Sequence, residues 1–544
     1  MPEKSEMIAS VTSHYYSGGG EVIEEVDRSD HTTESAVSQS SSRKRKGPEE
    51  NNKKAVFDLG NTSEGSSSAV TSANTEPDSN SMVDQALKNN PTLETGAQGS
   101  KIKSILGNMG PNEVLAGMAS EGGNQKEMAS YRFWNTQPVV RFDEEEFQRP
   151  DGPVREKNPE VIPTRGAEFS DDFEWITMNL NDGEQLNEVY ELLSAHYVED
   201  IEAMFRFNYS PSFLNWALKS PGWIPEWHLG VRVSSSRKLI AFISGVPVNL
   251  KVRTNTLRCS EINFLCIHKK LRSKRLAPVL IKEISRRCKV EKVWNAIYTA
   301  GIVLPKPVST CKYYHRSLDW LKLYEVGFSP LPPGSTRAEQ ITRFHLPADT
   351  NIRGLREMEA KDVDAVHSLL SRYLERFDMA PNFDKGEVDH WLLHKGGSVR
   401  ERVVFTYVVE QDDGHITDFF SFYALESSVI HSKKHELIRA AYLFYYASEV
   451  AFYEFPGMKG KLKTRLNQLI NNALVLAKKF KFDVFNALTL LDNTLFLQGQ
   501  KFGAGDGQLH YYLYNWRTPH IAGGIDEENN IDEKNGSGIG IVML

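Results

Sequence analysis

Between Glu261 and Ile281 the chain reads EINFLCIHKKLRSKRLAPVLI: an apolar strand, a turn carrying Lys269, Lys270, Arg272, Lys274 and Arg275, then an amphipathic helix. Five cations in seven residues at that junction suit phosphates. The free N–H groups of the turn and the positive end of the helix dipole bind anions, and the flanking side chains add charge. The chain as a whole is acidic, with 64 Lys and Arg against 71 Asp and Glu and a net charge of −7. A general nucleic-acid binder would be basic throughout, so no nucleic-acid partner is expected, and the turn reads as a local site for a small polyanion.

The elements that must position this turn sit in a chain of 544 residues, 40% hydrophobic and 25% charged, with room for several domains. Cys259, Cys266, Cys288 and Cys311 form no CxxC pair and read as free thiols, so no metal is expected. No apolar stretch approaches the roughly 20 residues that span a bilayer, and MPEKSEMIAS has no signal-peptide core. A cytoplasmic protein without a transmembrane segment is expected, and a monomer.

Residues 1–123 are rich in Ser, Thr, Asn, Glu and Gly and poor in aromatics, a composition expected to stay disordered apart from one helix near Ile102 to Met118. The RKRK cluster at Arg43 to Lys46 reads as a solvated charge run, with nuclear import or ribosome association as the alternative. Aromatic density rises at SYRFWNTQPV, Ser130 to Val139. Beyond it the pattern repeats. Amphipathic helices over Leu186 to Tyr197 and Val363 to Tyr373 each precede a strand, turn and strand, from His228 and from Phe405. Each half closes with a helix and a strand, from Leu276 and from Leu469. The expected units are 124–345 and 346–544.

This order resembles the N-acetyltransferase layout, in which acyl-CoA enters between two splayed strands and its pyrophosphate rests on the next helix N-terminus. The fold class is therefore expected to be α+β, a tandem duplicated N-acetyltransferase-like (acyl-CoA N-acyltransferase) fold behind a long disordered tail. The loop pattern of that superfamily, Arg/Gln-x-x-Gly-x-Gly/Ala, falls on Arg272 to Ala277 with Arg275 in place of the first Gly.

Four blocks in order, SYRFWNTQPV, YVEDIEAMFRFNYSP, EINFLCIHKKLRSKRLAPVLI and KFGAGDGQLHYYLYNW, closely resemble the glycylpeptide N-myristoyltransferase (N-tetradecanoyltransferase) family over roughly Ala129 to Leu544. The resemblance implies transfer of myristate from myristoyl-CoA to the α-amino group of an N-terminal glycine on peptides and nascent proteins. It implies an oxyanion hole from the backbone N–H groups of Phe264 and Leu265 where the strand bulges, although alone these read as core residues. It places the attacking amine near Asn263 and Thr299 and gives the base as the carboxylate of Leu544, at the end of the uncharged run GIGIVML. Myristoyl-CoA is assigned to Tyr131, Arg132, Phe133 and Trp134, to Phe264, Leu265, Cys266 and Ile267, and to Arg272, Ser273, Lys274, Arg275, Leu276 and Ala277. The peptide is assigned to Tyr197, Asp200, Phe205, Phe207, Tyr209, Tyr313 and His315, with Gly507 among the glycines of GAGDG that let the backbone pass close to the substrate glycine and Asp506 as a candidate partner for substrate polar groups.

The sequence departs from the family at Ile201, which interrupts the acidic run after Glu199, at Asp319-Trp320, where many relatives have Asn-Pro, and over the basic stretch Gly457 to Arg465. That stretch falls where the first half has its phosphate turn. The chain begins Met1-Pro2 and so lacks the Met-Gly start of a substrate. A protein N-acetyltransferase using short acyl-CoA, or an acyl-CoA-binding scaffold without catalysis, are the competing readings.

Overall fold

The Asp182 side chain accepts from the Glu184 N–H and starts helix α1, Gly183–His196, whose buried Leu186, Val189, Leu192 and Leu193 recur at helical spacing. The rest of the first half follows as strands β1 (Phe173–Thr177), β2 (Phe205–Asn208), β3 (His228–Val233), β4 (Leu239–Val252) and β5 (Asn255–Ile267), helix α2 (Leu276–Val290), and strands β6 (Asn295–Ala300) and β7 (Ser309–Ser317). The second half repeats the order. It comprises β8 (Leu355–Glu357), α3 (Val363–Leu374), β9 (Met379–Pro381), β10 (Val404–Glu410), β11 (Ile416–Val429), β12 (Leu437–Ser448), α4 (Met458–Lys479), β13 (Val484–Leu488) and β14 (Gly503–Tyr514). This computed structural model describes residues 125–144, 150–158, 162–167, 169, 171–197, 204–396, 401–430, 432–453 and 458–544. The expected tail, its helix and its basic cluster, and likewise Asp200 and Ile201, lie outside them.

Fourteen strands of the described residues join in one sheet, in the order β1-β3-β4-β5-β6-β14-β7-β13-β12-β11-β10-β8, with β9 paired to β4 and β2 to β11 beside that path. The last strand of each half is exchanged: β7 pairs with β13 of the second half, β14 pairs with β6 of the first, and the two pair with each other. Neither half completes its sheet with its own final strand.

Helix α4 starts at Met458, well before Leu469. The stretch that replaces a phosphate turn is therefore helical, with Leu462 and Leu466 buried four residues apart. Two of its cations are paired, Lys463 with Glu533 at 2.6 Å and Arg465 with Asp418 at 2.5 Å.

Candidate active site

Strands β5 and β6 pair in parallel only from Cys259–Asn295 to Glu261–Ile297, although β5 runs on to Ile267 and β6 to Ala300. Beyond that point they part. Asn263 and Thr299 stand just past the last pair, one on each strand. On the other side of β5 the ladder to β4 slips: Phe242 pairs with Cys266 and Ser244 with Asn263, which leaves Phe264 and Leu265 opposite Ile243. Phe264 sits at φ +57°, a left-handed conformation that costs a bulky residue about 1 to 2 kcal/mol. The buried Ser244 hydroxyl donates to Asn263 O at 2.9 Å and fixes the start of the bulge. The bulge thereby interrupts the ladder at Phe264 and Leu265, at the mouth of the splay.

Burial raises the Tyr197 phenol above its ordinary range, and the nearby Phe264 backbone opposes that rise. The rings of Tyr197 and Tyr209 pack on Phe264 with centroids 5.8 and 5.2 Å away, and Phe207 lies 5.6 Å from Tyr209. Two residues predicted to face the peptide thus pack on Phe264, and a third packs on one of them. Phe205 is buried at the far end of β2, 6.2 Å from Phe328.

His268 accepts from the Lys270 N–H to open a 3-10 turn over Lys269–Lys274, and Arg275 then takes φ +57° as the N-cap of α2. Arginine here adopts a left-handed backbone conformation that favours glycine. The N–H groups that open α2 thus have a cation at their N-cap. Arg272, Lys274 and Arg275 are exposed, with Ser273 between them, while Leu276 and Ala277 bury their side chains and offer only backbone. The Arg272 guanidinium also bonds the His196 carbonyl, tying the turn to the end of α1. Cys266 and Ile267 are buried, the former contacting Leu192 O. Leu265 packs instead on the apolar cluster of Trp227, Ile243, Ile267 and Leu280.

Trp134 ends a three-ring stack, 5.7 Å from Tyr298, which lies 5.0 Å from Tyr512. It is a buried anchor; Tyr131 and Phe133 are half-buried beside it and Arg132 is exposed. On β7, His315 Nδ1 lies 2.8 Å from Asn486 Oδ1, so Nδ1 carries the proton. Burial brings the His315 pKa down to about 4, which keeps the ring neutral. Between Ala504–Tyr314 and Gln508–Lys312 the ladder bulges, leaving Gly505, Asp506 and Gly507 opposite Tyr313. A Cβ at Gly505 would meet His315 Nε2 at 2.5 Å, so glycine is needed there for the histidine.

The final segment is buried from Ile539 to Met543, with Leu544 partly covered. Gly540 N donates to Met379 O at 2.7 Å and Met379 N to Gly538 O at 3.0 Å, which lays the tail along β9.

Residues 153–311 match the N-terminal domain of myristoyl-CoA:protein N-myristoyltransferase, and residues 325–542 its C-terminal domain. The chain belongs to this family. An Aspergillus fumigatus glycylpeptide N-tetradecanoyltransferase is 58% identical over 467 residues, 85% of this chain and 94% of the relative. One from Schizosaccharomyces pombe is 50% identical over 448 residues, 80% of this chain and 96% of the relative. The crystal structure of Saccharomyces cerevisiae N-myristoyltransferase with bound myristoyl-CoA superposes with a TM-score of 0.75 at 49% identity, covering 77% of this chain and all of that one.

Within this N-myristoyltransferase fold, sequence reasoning passed over Glu261, Ser244 and Asn486. Asn263 Nδ2 donates to Glu261 Oε1 at 2.7 Å, and burial raises the Glu261 pKa to about 7 against the pull of that bond. Alternation along β5 puts 261 and 263 on one face and could have found this pair. No local pattern joins Ser244 or Asn486 to their partners, which come from other strands.

Proposed function

We infer that the chain transfers a myristoyl group from myristoyl-CoA to the α-amino group of an N-terminal glycine. The observation that carries this reading is the bulge at Phe264 and Leu265, set at the mouth of the strand splay and just ahead of the cationic turn. Phosphates of CoA meet the exposed Arg272, Lys274 and Arg275 and the N–H groups opening α2. The acyl chain follows Leu265 into the apolar cluster around Trp227 and Leu280. Burial of a dozen methylenes at about 0.8 kcal/mol each is worth on the order of 10 kcal/mol before binding costs.

The amine attacks the thioester carbonyl, a C–N bond forms, and the oxyanion is held by the Phe264 and Leu265 N–H groups. Collapse breaks the C–S bond and releases CoA as the thiolate. A free α-amino group has a pKa of about 7.7 to 8.0, so its proton needs only a well-placed acceptor. That acceptor is the Leu544 carboxylate, with Asn263 and Thr299 orienting the amine. Residues 124–345 serve the acyl-CoA and 346–544 the peptide, which meets Tyr197, Asp200, Phe205, Phe207, Tyr209, Tyr313, His315, Asp506 and Gly507. Tyr131 to Trp134 close over the CoA side.

The chain acts as a cytoplasmic monomer in this reading; among the described residues no helix is long and apolar enough to cross a membrane. Ribosome association through residues 1–123 is tested by co-sedimentation of full-length and shortened chains. The decisive experiment offers radiolabelled acyl-CoAs of several lengths with a Gly-initiated octapeptide and its Ala-initiated twin. Myristate should move to the glycine peptide, with neighbouring chain lengths disfavoured by about 10 to 200-fold per methylene. Transfer from acetyl-CoA alone, or equal labelling of both peptides, would overturn the assignment.

A further inference from the structure

The strand opening of the first half has a counterpart in the second. Strands β12 and β13 pair from Ala440–Val484 to Tyr442–Asn486 and then part. The bulge is repeated as well: Phe420 pairs with Tyr446 and Phe422 with Leu443, leaving Phe444 and Tyr445 opposite Ser421. Tyr445 therefore stands where Leu265 stands in the first half. Here the backbone amide is already spent, since Tyr445 N donates to Ser421 Oγ at 3.1 Å and that hydroxyl donates to Tyr445 O at 2.6 Å.

The last residues of the chain cross this second opening. Leu491 N, just beyond β13, donates to Ile539 O at 2.8 Å, and Val542 N donates to the Tyr445 hydroxyl on β12 at 3.0 Å. From β14 the Tyr511 hydroxyl donates to Ile541 O at 3.2 Å. The Ile541 carbonyl and the Val542 N–H belong to one peptide group, so two buried phenols hold the same unit by its opposite ends. Both phenols have rigid seats. Tyr445 has its backbone pinned by Ser421, and Tyr511 is the cross-strand partner of Thr299.

We propose that Tyr445 and Tyr511 are positioning residues that clamp the Ile541–Val542 peptide, making residues 539–544 a built-in ligand of the second strand opening and fixing the Leu544 carboxylate at the reacting amine. The proposal rests on the reading of that carboxylate as proton acceptor. A chain end without such holds frays, and a base on a frayed end loses the advantage of orientation.

The test compares single-turnover acyl transfer and myristoyl-CoA affinity in the full chain, Tyr445→Phe, Tyr511→Phe, the double variant and a chain lacking Leu544, all with a Gly-initiated octapeptide. Each Phe variant should slow transfer by about fivefold and the double by about 25-fold, with myristoyl-CoA Kd changed less than about twofold. Removal of Leu544 should slow it further. If that removal slows transfer and the Phe variants do not, the clamp is refuted and the carboxylate stands. Normal turnover without Leu544 refutes both. Weakened myristoyl-CoA binding in the Phe variants also overturns the clamp, because the hydroxyls would then support the fold at large.

Discussion

Asn263 Nδ2 donates to Glu261 Oε1 across 2.7 Å, two residues apart on one face of β5. Glu261 Oε1 accepts here, so the contact turns the amide nitrogen toward Glu261 and leaves Asn263 Oδ1 on the opposite side, suited to an amine N–H. Gln at 261 could face Asn263 with either amide atom. Glu261→Gln is expected to slow transfer by about tenfold through lost orientation. Its stability effect has a defined sign. With a folded pKa of about 7, above its ordinary 4.5, Glu261 keeps its proton in the fold while the unfolded chain loses it, so stability falls as pH rises from about 4.5 to 7. The Gln variant should gain about 3 kcal/mol at pH 8 and nothing near pH 4, measured by denaturant unfolding.

A tag or a few residues added after Leu544 would displace the carboxylate while the phosphate turn, on α2, is untouched. Acyl transfer should drop by about 100-fold or more with myristoyl-CoA affinity unchanged. Titration and single-turnover kinetics separate the two.

Gly540 has no room for a side chain: a Cβ would lie 2.9 Å from Ala380 Cβ and 3.0 Å from Phe377 Cβ. Gly540→Ala should cost about 1 to 3 kcal/mol and slow transfer by shifting the tail. Gly152→Ala, which meets nothing within 4 Å, serves as the neutral comparison.

Arg275 combines a cation with a left-handed backbone. Arg275→Gly should relieve about 1 kcal/mol of strain and weaken myristoyl-CoA binding by loss of charge, while Arg275→Ala loses the charge and keeps the strain. Thermal unfolding and the salt dependence of binding distinguish the pair.

His228 and His315 are both lowered to about 4 by burial. Below their ordinary 6.5 the unfolded chain takes up protons that the folded chain refuses, so their contribution is full above 6.5 and lost as pH falls toward 4. His315→Gln should remove about 2 kcal/mol of the stability difference between pH 7.5 and pH 5, read from unfolding curves at each pH.

The sequence by itself determined whatever depends on neighbours along the chain. The cationic turn, the helix behind it, and the element order repeated from Leu186 and from Val363 were legible because capping, periodicity and charge act over a few residues. The same locality explains the misplaced start of α4, whose first turns carry mostly cations and only widely spaced leucines. Tertiary structure alone decided the exchange of β7 and β14 between halves, the pairing of His315 with Asn486, and the left-handed Phe264 at a bulge set by Ser244 on another strand. It also brought Tyr445 and Tyr511 to one peptide group near Leu544, 97 residues from Val542 in the first case. These contacts join segments far apart in sequence, and hydrogen-bonding partners across a sheet follow from register, which no single strand specifies.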